Sequence, residues 1–200
     1  MKKIILSLFV LFFSIGALNA QLTKTDKKAV LTELKNSTKA LKKAIKGLSE
    51  AQLNYKSSPE SWSIAECIEH ITISETNIFG MTEGALKTAA DASKRSDVAM
   101  TDEKLLATIR DRSGKLKTSK AFEPSGKYGS FKETLAAFCA KRKSNMAFVK
   151  NTDTNLRNHY TQSPFGTIDA LQVLLFMSGH VDRHLAQVNE IKADANYPSI

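Results

Sequence analysis

The stretch Val173-Leu174-Leu175-Phe176-Met177-Ser178-Gly179-His180-Val181-Asp182-Arg183-His184-Leu185-Ala186-Gln187 decides how this chain is read. Positions i and i+4 fall about 40° apart on a helix of 3.6 residues per turn, so His180 and His184 project from one face. Val173, Phe176, Met177 and Ile191 lie within about 60° of His180 on the same arithmetic, as does Gln187. The stripe is otherwise apolar, which predicts a helix packed into a core. Three polar side chains inside such a stripe need partners, because an unpaired buried polar group costs about 1–3 kcal/mol. A metal ion held by both imidazoles would supply one, and hydrogen bonds to neighbouring helices would serve equally. No glutamate stands beside His180 as in a zinc-protease helix, so the H-x-x-x-H spacing alone leaves both readings open.

Outward from that helix, which the pattern places at Thr167 to about Ala193, the whole chain reads as helical. It has few prolines, no strand alternation, no glycine-rich phosphate loop and no internal repeat. Upstream, Ser163-Pro164-Phe165-Gly166 marks a stop. Before it, the capping box Ser130-x-x-Glu133 opens a helix with Leu135, Phe138, Met146 and Val149 toward the core. Glu123-Pro124-Ser125-Gly126 is a loop, and Thr101-Asp102-Glu103 opens a short helix ending near Lys117. Ala90–Met100 reads as a polar loop. A second capping box, Ser63-x-x-Glu66, starts a helix running to about Leu86. Ser57-Ser58-Pro59 separates that helix from a first one at about Lys24–Leu48, with Val30, Leu31, Leu34, Leu41 and Ile45 at helical spacing. Four long helices and one short one predict an all-α fold, a four-helix bundle with one extra short helix. Physics alone leaves the up-down order of the helices open.

Residues 1–20 have the layout of a secretory signal peptide: Lys2-Lys3, an apolar run from Ile4 to Leu18, then Asn19-Ala20-Gln21. The run is shorter than the roughly 20 residues a spanning helix needs. The expectation is a cleaved leader, a domain of residues 21–200, and a protein exported to the periplasm or the extracellular space, without stable membrane insertion. The net charge of +9 falls to +7 when Lys2 and Lys3 are removed. Many of the lysines fall in the first helix, a pattern expected of a solvated face. Basic residues interleaved with aromatics are lacking, so nucleic acid is not an expected partner. Cys67 and Cys139 lie on apolar-patterned helices and read as buried free thiols, although an oxidising compartment would allow them to pair.

A third histidine, His70, lies on the second long helix within Trp62-Ser63-Ile64-Ala65-Glu66-Cys67-Ile68-Glu69-His70-Ile71. It sits about 100° from Ile71, at the edge of the apolar face, where it suits a ligand reaching into a cleft or a half-exposed structural histidine. His159 reads as structural or exposed. Trp62-Ser63 followed by His70, and much later His180-x-x-x-His184-x-x-Gln187, resemble the DinB-like (DinB/YfiT-type) four-helix-bundle family of metal-dependent enzymes. The resemblance extends over the chain beyond residue 20, including the Leu53-to-Pro59 approach to Trp62 and the Pro164-x-Gly166 approach to the last helix.

The resemblance implies that His70, His180 and His184 are metal ligands and that the metal is zinc or nickel. It also implies chemistry of hydrolase or thiol-dependent S-transferase type on a small molecule. Three neutral imidazoles would leave a coordination position open, as a catalytic site needs. Gln187, on the ligand stripe, is placed to bond a ligand imidazole. Glu66, one turn before His70, is a candidate general base, although the capping box already gives it a structural role. Asp182 is expected to face solvent. The alternative is a bundle that binds a metal or small ligand without turnover. A second copy of the chain, joined through an exposed helix face as a homodimer, is the other partner considered.

Overall fold

The computed structural model describes residues 22–114 and 117–199. The leader expected at residues 1–20 lies outside the described residues. Four helices of 21–23 residues form the bundle: α1 (Lys24–Ala44), α3 (Ile64–Ala85), α5 (Phe131–Asn151) and α6 (Ala170–Lys192). Two shorter helices, α2 (Glu50–Asn54) and α4 (Asp102–Arg110), fill connections. The two capping boxes read from the sequence form as expected, with Ser63 and Ser130 accepting from the backbone N–H groups of Glu66 and Glu133.

α6 lies between α1 and α3, α5 completes the ring against both, and α4 packs on the outside of α6. Contacts along the helices fix their directions. Ser178 meets Ser37 and Lys192 meets the Ala44 carbonyl, so α6 runs parallel to α1. Arg142 reaches Leu34 and Ser37 while Lys27 meets Asp153 beyond the far end of α5, so α5 runs antiparallel to α1. α3 follows α5 in parallel, from the Thr72–Thr134 contact to the Phe79–Phe148 pair. The order is therefore up-down-down-up. Parallel neighbours α3 and α5 need a long crossover, and residues 86–130, carrying α4, supply it. At Gly179 the α4–α6 approach is close: a Cβ would meet Ile109 Cγ2 at 3.2 Å.

Several boundaries depart from the sequence reading. The first helix stops at Ala44 rather than Leu48, because Gly47 takes φ +75° and turns the chain. Ser49 and Gln52 then form a capping box that opens α2. The stretch 90–100 contains a 3-10 turn at Ala92–Asp97, and the short helix ends at Arg110 rather than near Lys117. The last helix begins at Ala170, not Thr167, because Thr167 belongs to a hairpin. That hairpin pairs β1 (Tyr160–Ser163) with β2 (Gly166–Asp169), Ser163 facing Gly166. Pro164 and Phe165 make its turn, and Gly166 follows at φ +95°. Asp169 closes the hairpin by capping α6, accepting from Gln172 N at 2.7 Å. His159 is buried and hydrogen-bonded through Nδ1 to the Thr88 carbonyl, a structural role.

The core has two apolar clusters. One gathers Leu34, Phe79, Leu105 and Leu174; the other gathers Leu41, Ile68, Phe138 and Val188. Between α1, α3 and α5 lies a buried ion pair. Arg142 donates to both carboxylate oxygens of Glu75 at 2.7 Å and to the Leu34 carbonyl at 3.0 Å. Asn145 donates to the same carboxylate at 2.9 Å. Both charged side chains are 1 % exposed. Among the described residues no helix is long and apolar enough to cross a membrane.

Candidate metal centre

α3 and α6 run antiparallel and bring His70 against His180 and His184. The Nε2 atom of His180 stands 3.2 Å from Nε2 of His70 and 3.2 Å from Nε2 of His184. One nitrogen from each ring lies within 4.8 Å of the other two. Two nitrogens about 2.0 Å from one tetrahedral ion would be separated by about 3.3 Å, so the spacing fits a shared cation. His70 and His184 are buried and His180 is half-buried. His70, placed by the sequence at the edge of its helix face, is 3 % exposed because the crossover covers it.

The outer ring nitrogens orient the donors. His70 Nδ1 lies 2.7 Å from the Phe122 carbonyl, which can only accept, so this nitrogen carries the hydrogen and Nε2 keeps its lone pair. His184 Nδ1 faces the Gln187 Oε1 atom at 2.9 Å with the same consequence. Two lone pairs therefore face His180 Nε2, which holds at most one hydrogen. At least one of the two contacts has no proton to share. A cation satisfies all three nitrogens at once, and the donor set fits a divalent ion.

Burial drives these rings toward the neutral form that ligates. It lowers the pKa of His70, against the opposing pull of the Phe122 carbonyl. It pushes His184 down to about 3, helped by the nearby His70, Arg112 and Arg183, while the Gln187 bond acts in the opposite sense. Burial lowers His180 well below its ordinary value, reinforced by the two other imidazoles.

Aromatic rings wall the cup. The Trp62 ring centroid lies 4.8 Å from that of His70 and 6.3 Å from that of His184. Phe176 meets the His180 ring edge-on at 6.1 Å. Trp62 and the Phe122 carbonyl were not singled out as site groups from the sequence. The tryptophan could have been suspected from its place one residue before the helix cap, whereas a backbone carbonyl leaves no residue signature.

The neighbouring carboxylates are engaged. Glu66 accepts from Ser63 N at 2.7 Å and pairs with Lys56 at 2.7 Å, so it caps its helix as the box implied. Glu69, 8 % exposed, accepts from the backbone N–H groups of Ser125 and Lys127 at 3.1 and 3.0 Å. It thereby clasps the segment that follows Phe122. Asp182 does not simply face solvent as expected: Arg110, at the end of α4, pairs with it and with Glu33 of α1. Cys67 and Cys139 are free thiols, the first buried and the second half-buried. Burial pushes the Cys67 pKa up to about 12, which leaves it an inert core thiol.

Comparison with known proteins identifies the family and the fold. A profile of the DinB superfamily matches residues 33–188, a span holding all three histidines. The uncharacterized protein YuaE of Bacillus subtilis (strain 168) is 29 % identical over 149 residues, covering 74 % of this chain and 88 % of YuaE. Among solved structures, YfiT from Bacillus subtilis superposes with a TM-score of 0.57 at 16 % identity, covering 86 % of this chain and 89 % of YfiT. YfiT is described as a probable metal-dependent hydrolase with an unusual four-helix bundle topology.

Proposed function

Since the chain belongs to the DinB superfamily, we propose that His70, His180 and His184 hold one divalent metal ion, zinc or nickel, in a metal-dependent enzyme. The chemistry is of hydrolase or thiol S-transferase type, acting on a small molecule. The observation that carries this reading is the facing of Nε2 lone pairs around His180, with the outer nitrogens of His70 and His184 already committed to carbonyl oxygens. The description of YfiT as a probable metal-dependent hydrolase supports it.

A bound divalent ion supplies Lewis acidity, polarising a carbonyl and acidifying a water or thiol nucleophile. The chain does the rest. Phe122 and Gln187 fix the tautomers of His70 and His184. Trp62 and Phe176 exclude water from two sides of the cup. The half-buried side of His180 admits a small substrate.

The engagement of Glu66 and Glu69 with backbone and lysine partners favours a second reading, a bundle that binds a metal or small ligand without turnover. Two measurements separate the readings. Metal analysis of protein purified without a histidine tag should give one ion per chain, and His180→Ala should abolish uptake while keeping helix content. Retained uptake in that variant overturns the metal site. Turnover of ester, amide or thiol-acceptor substrates by the loaded protein, abolished by a chelator, decides for the enzyme. Residues 1–20 are proposed to direct export, and intact mass of the exported form should show a start near Gln21.

A further inference from the structure

On the far side of the bundle from the histidines, the seam between α1 and α5 carries an unusual charge pattern. Lys24, Lys28, Lys35, Lys39 and Lys42 fall within about 60° of one another around α1, and all are exposed. The two acids of α1 point elsewhere and are engaged: Asp26 with Arg157, Glu33 with Arg110. On α5, the exposed Lys132, Lys143 and Lys150 share one stripe within about 20°. The acid of that helix, Glu133, lies about 100° away and is held by Ser130. Among the described residues none of these eight lysines forms an ion pair; Lys27, half-buried beside them, meets Asp153 at 3.9 Å.

The two lysine rows flank grooves with apolar floors. One, of about 540 Å³, is lined by Leu31, Met146 and Ala147 between Lys28 and Lys150. The other, of about 420 Å³, is lined by Ile45, Leu135 and Cys139 between Lys42 and Lys132. Solubility alone calls for charges of both signs interspersed, whereas among the described residues no acid lines these grooves and the exposed Asp153, beside Lys27, is the acid that pairs at the seam. Such a face complements a surface that presents phosphates in a plane with hydrocarbon beneath them. Nucleic acid fits less well, because the grooves contain no arginine fork and no aromatic ring for a base to stack on.

We propose that the α1–α5 face docks peripherally on anionic phospholipid bilayers, the lysines meeting lipid phosphates and the groove floors taking up apolar contact. Because α1–α5 and α3–α6 are opposite seams of the ring, the docked protein keeps its histidine cup turned away from the lipid. The docking is independent of any metal.

The test is co-sedimentation of the protein from Gln21 onward, the start proposed for the exported form, with vesicles of phosphatidylcholine alone and of phosphatidylcholine mixed equally with phosphatidylglycerol. Binding should favour the anionic vesicles and fall as salt is raised from about 0.1 M to about 1 M, which shortens the screening length from about 10 Å to about 3 Å. Each lysine removed should weaken partitioning on the order of fivefold. The triple variant Lys28→Gln, Lys35→Gln, Lys42→Gln should therefore lose roughly a hundredfold. Lys132→Gln, Lys143→Gln, Lys150→Gln should do the same from the other helix. Starting at Gln21 leaves out the apolar run Ile4–Leu18, which would otherwise bind both vesicle types. All six positions are exposed, so melting curves should be unchanged. Wild-type affinity for anionic vesicles in both variants, equal binding to the two vesicle types, or tighter binding to duplex DNA at matched phosphate would overturn the proposal.

Discussion

Gln187 shows how much rests on a single side chain. Its amide oxygen, 2.9 Å from His184 Nδ1, keeps the proton on that nitrogen and so turns the lone pair of Nε2 toward the other two rings. Gln187→Leu should leave the fold intact and weaken metal affinity about 10–100-fold, measured by competition with a chelating dye. Titration of the metal-free protein gives a second expectation at this scale. A histidine whose folded pKa is depressed binds fewer protons when folded than when unfolded, so stability falls as pH drops below the unfolded value. For His184 that window runs from 6.5 down to about 3, and His70 and His180 are lowered in the same direction. In the presence of chelator, stability should decline below pH 6.5 by up to ~1.4 kcal/mol per pH unit for each imidazole. Urea midpoints between pH 7 and about pH 5 would measure this, and His184→Gln should flatten the slope. The three histidines and Gln187 were legible in the sequence because helical spacing and the family resemblance placed them. The Phe122 carbonyl was not, since every residue has one.

The elements were legible where side chains announce their own local bonds. Ser63 with Glu66 and Ser130 with Glu133 mark helix starts that the structure keeps to the residue. The same logic would have found the Asp169–Gln172 box, which lay inside a helix read from Thr167, and the Ser49–Gln52 box, which lay just past the end read for the first helix at about Leu48. The hairpin at 160–169 escaped because two four-residue strands are too short for alternation to stand out. The Glu69 clasp belongs to this scale as well. It holds the crossover through Ser125 and Lys127, and the same crossover delivers the carbonyl that orients His70. Glu69→Ala should destabilise the protein by about 1–3 kcal/mol and speed hydrogen exchange at the Ser125 and Lys127 amides. Metal affinity should fall with it. Unchanged exchange at those two amides would show that the segment is held by other means.

For the whole molecule, the ion pair of Arg142 and Glu75 ties three of the four long helices through one buried guanidinium. Glu75→Gln or Arg142→Met should each cost about 3–5 kcal/mol in denaturant unfolding, because one charge is left in the core without its partner. Replacing both with apolar residues should recover much of that loss. The sequence carried a signal for this pair: Arg142 and Asn145 interrupt the stripe of Phe138 and Val149, where a solvated residue would not sit. Helix order was beyond reach of the pattern, since amphipathic stripes say that faces must be covered but not by which neighbour.

The up-down-down-up order also sets when the cup can exist. His70 and His180 are 110 positions apart, and the second of them rides on the helix that must insert between α1 and α3. Contacts so remote along the chain form late, after loop-closure entropy has been overcome. A chain still emerging from the ribosome, or clipped ahead of α6, therefore has no cup to offer. Whatever the three imidazoles hold is acquired by the finished molecule, in the compartment where its last helix docks.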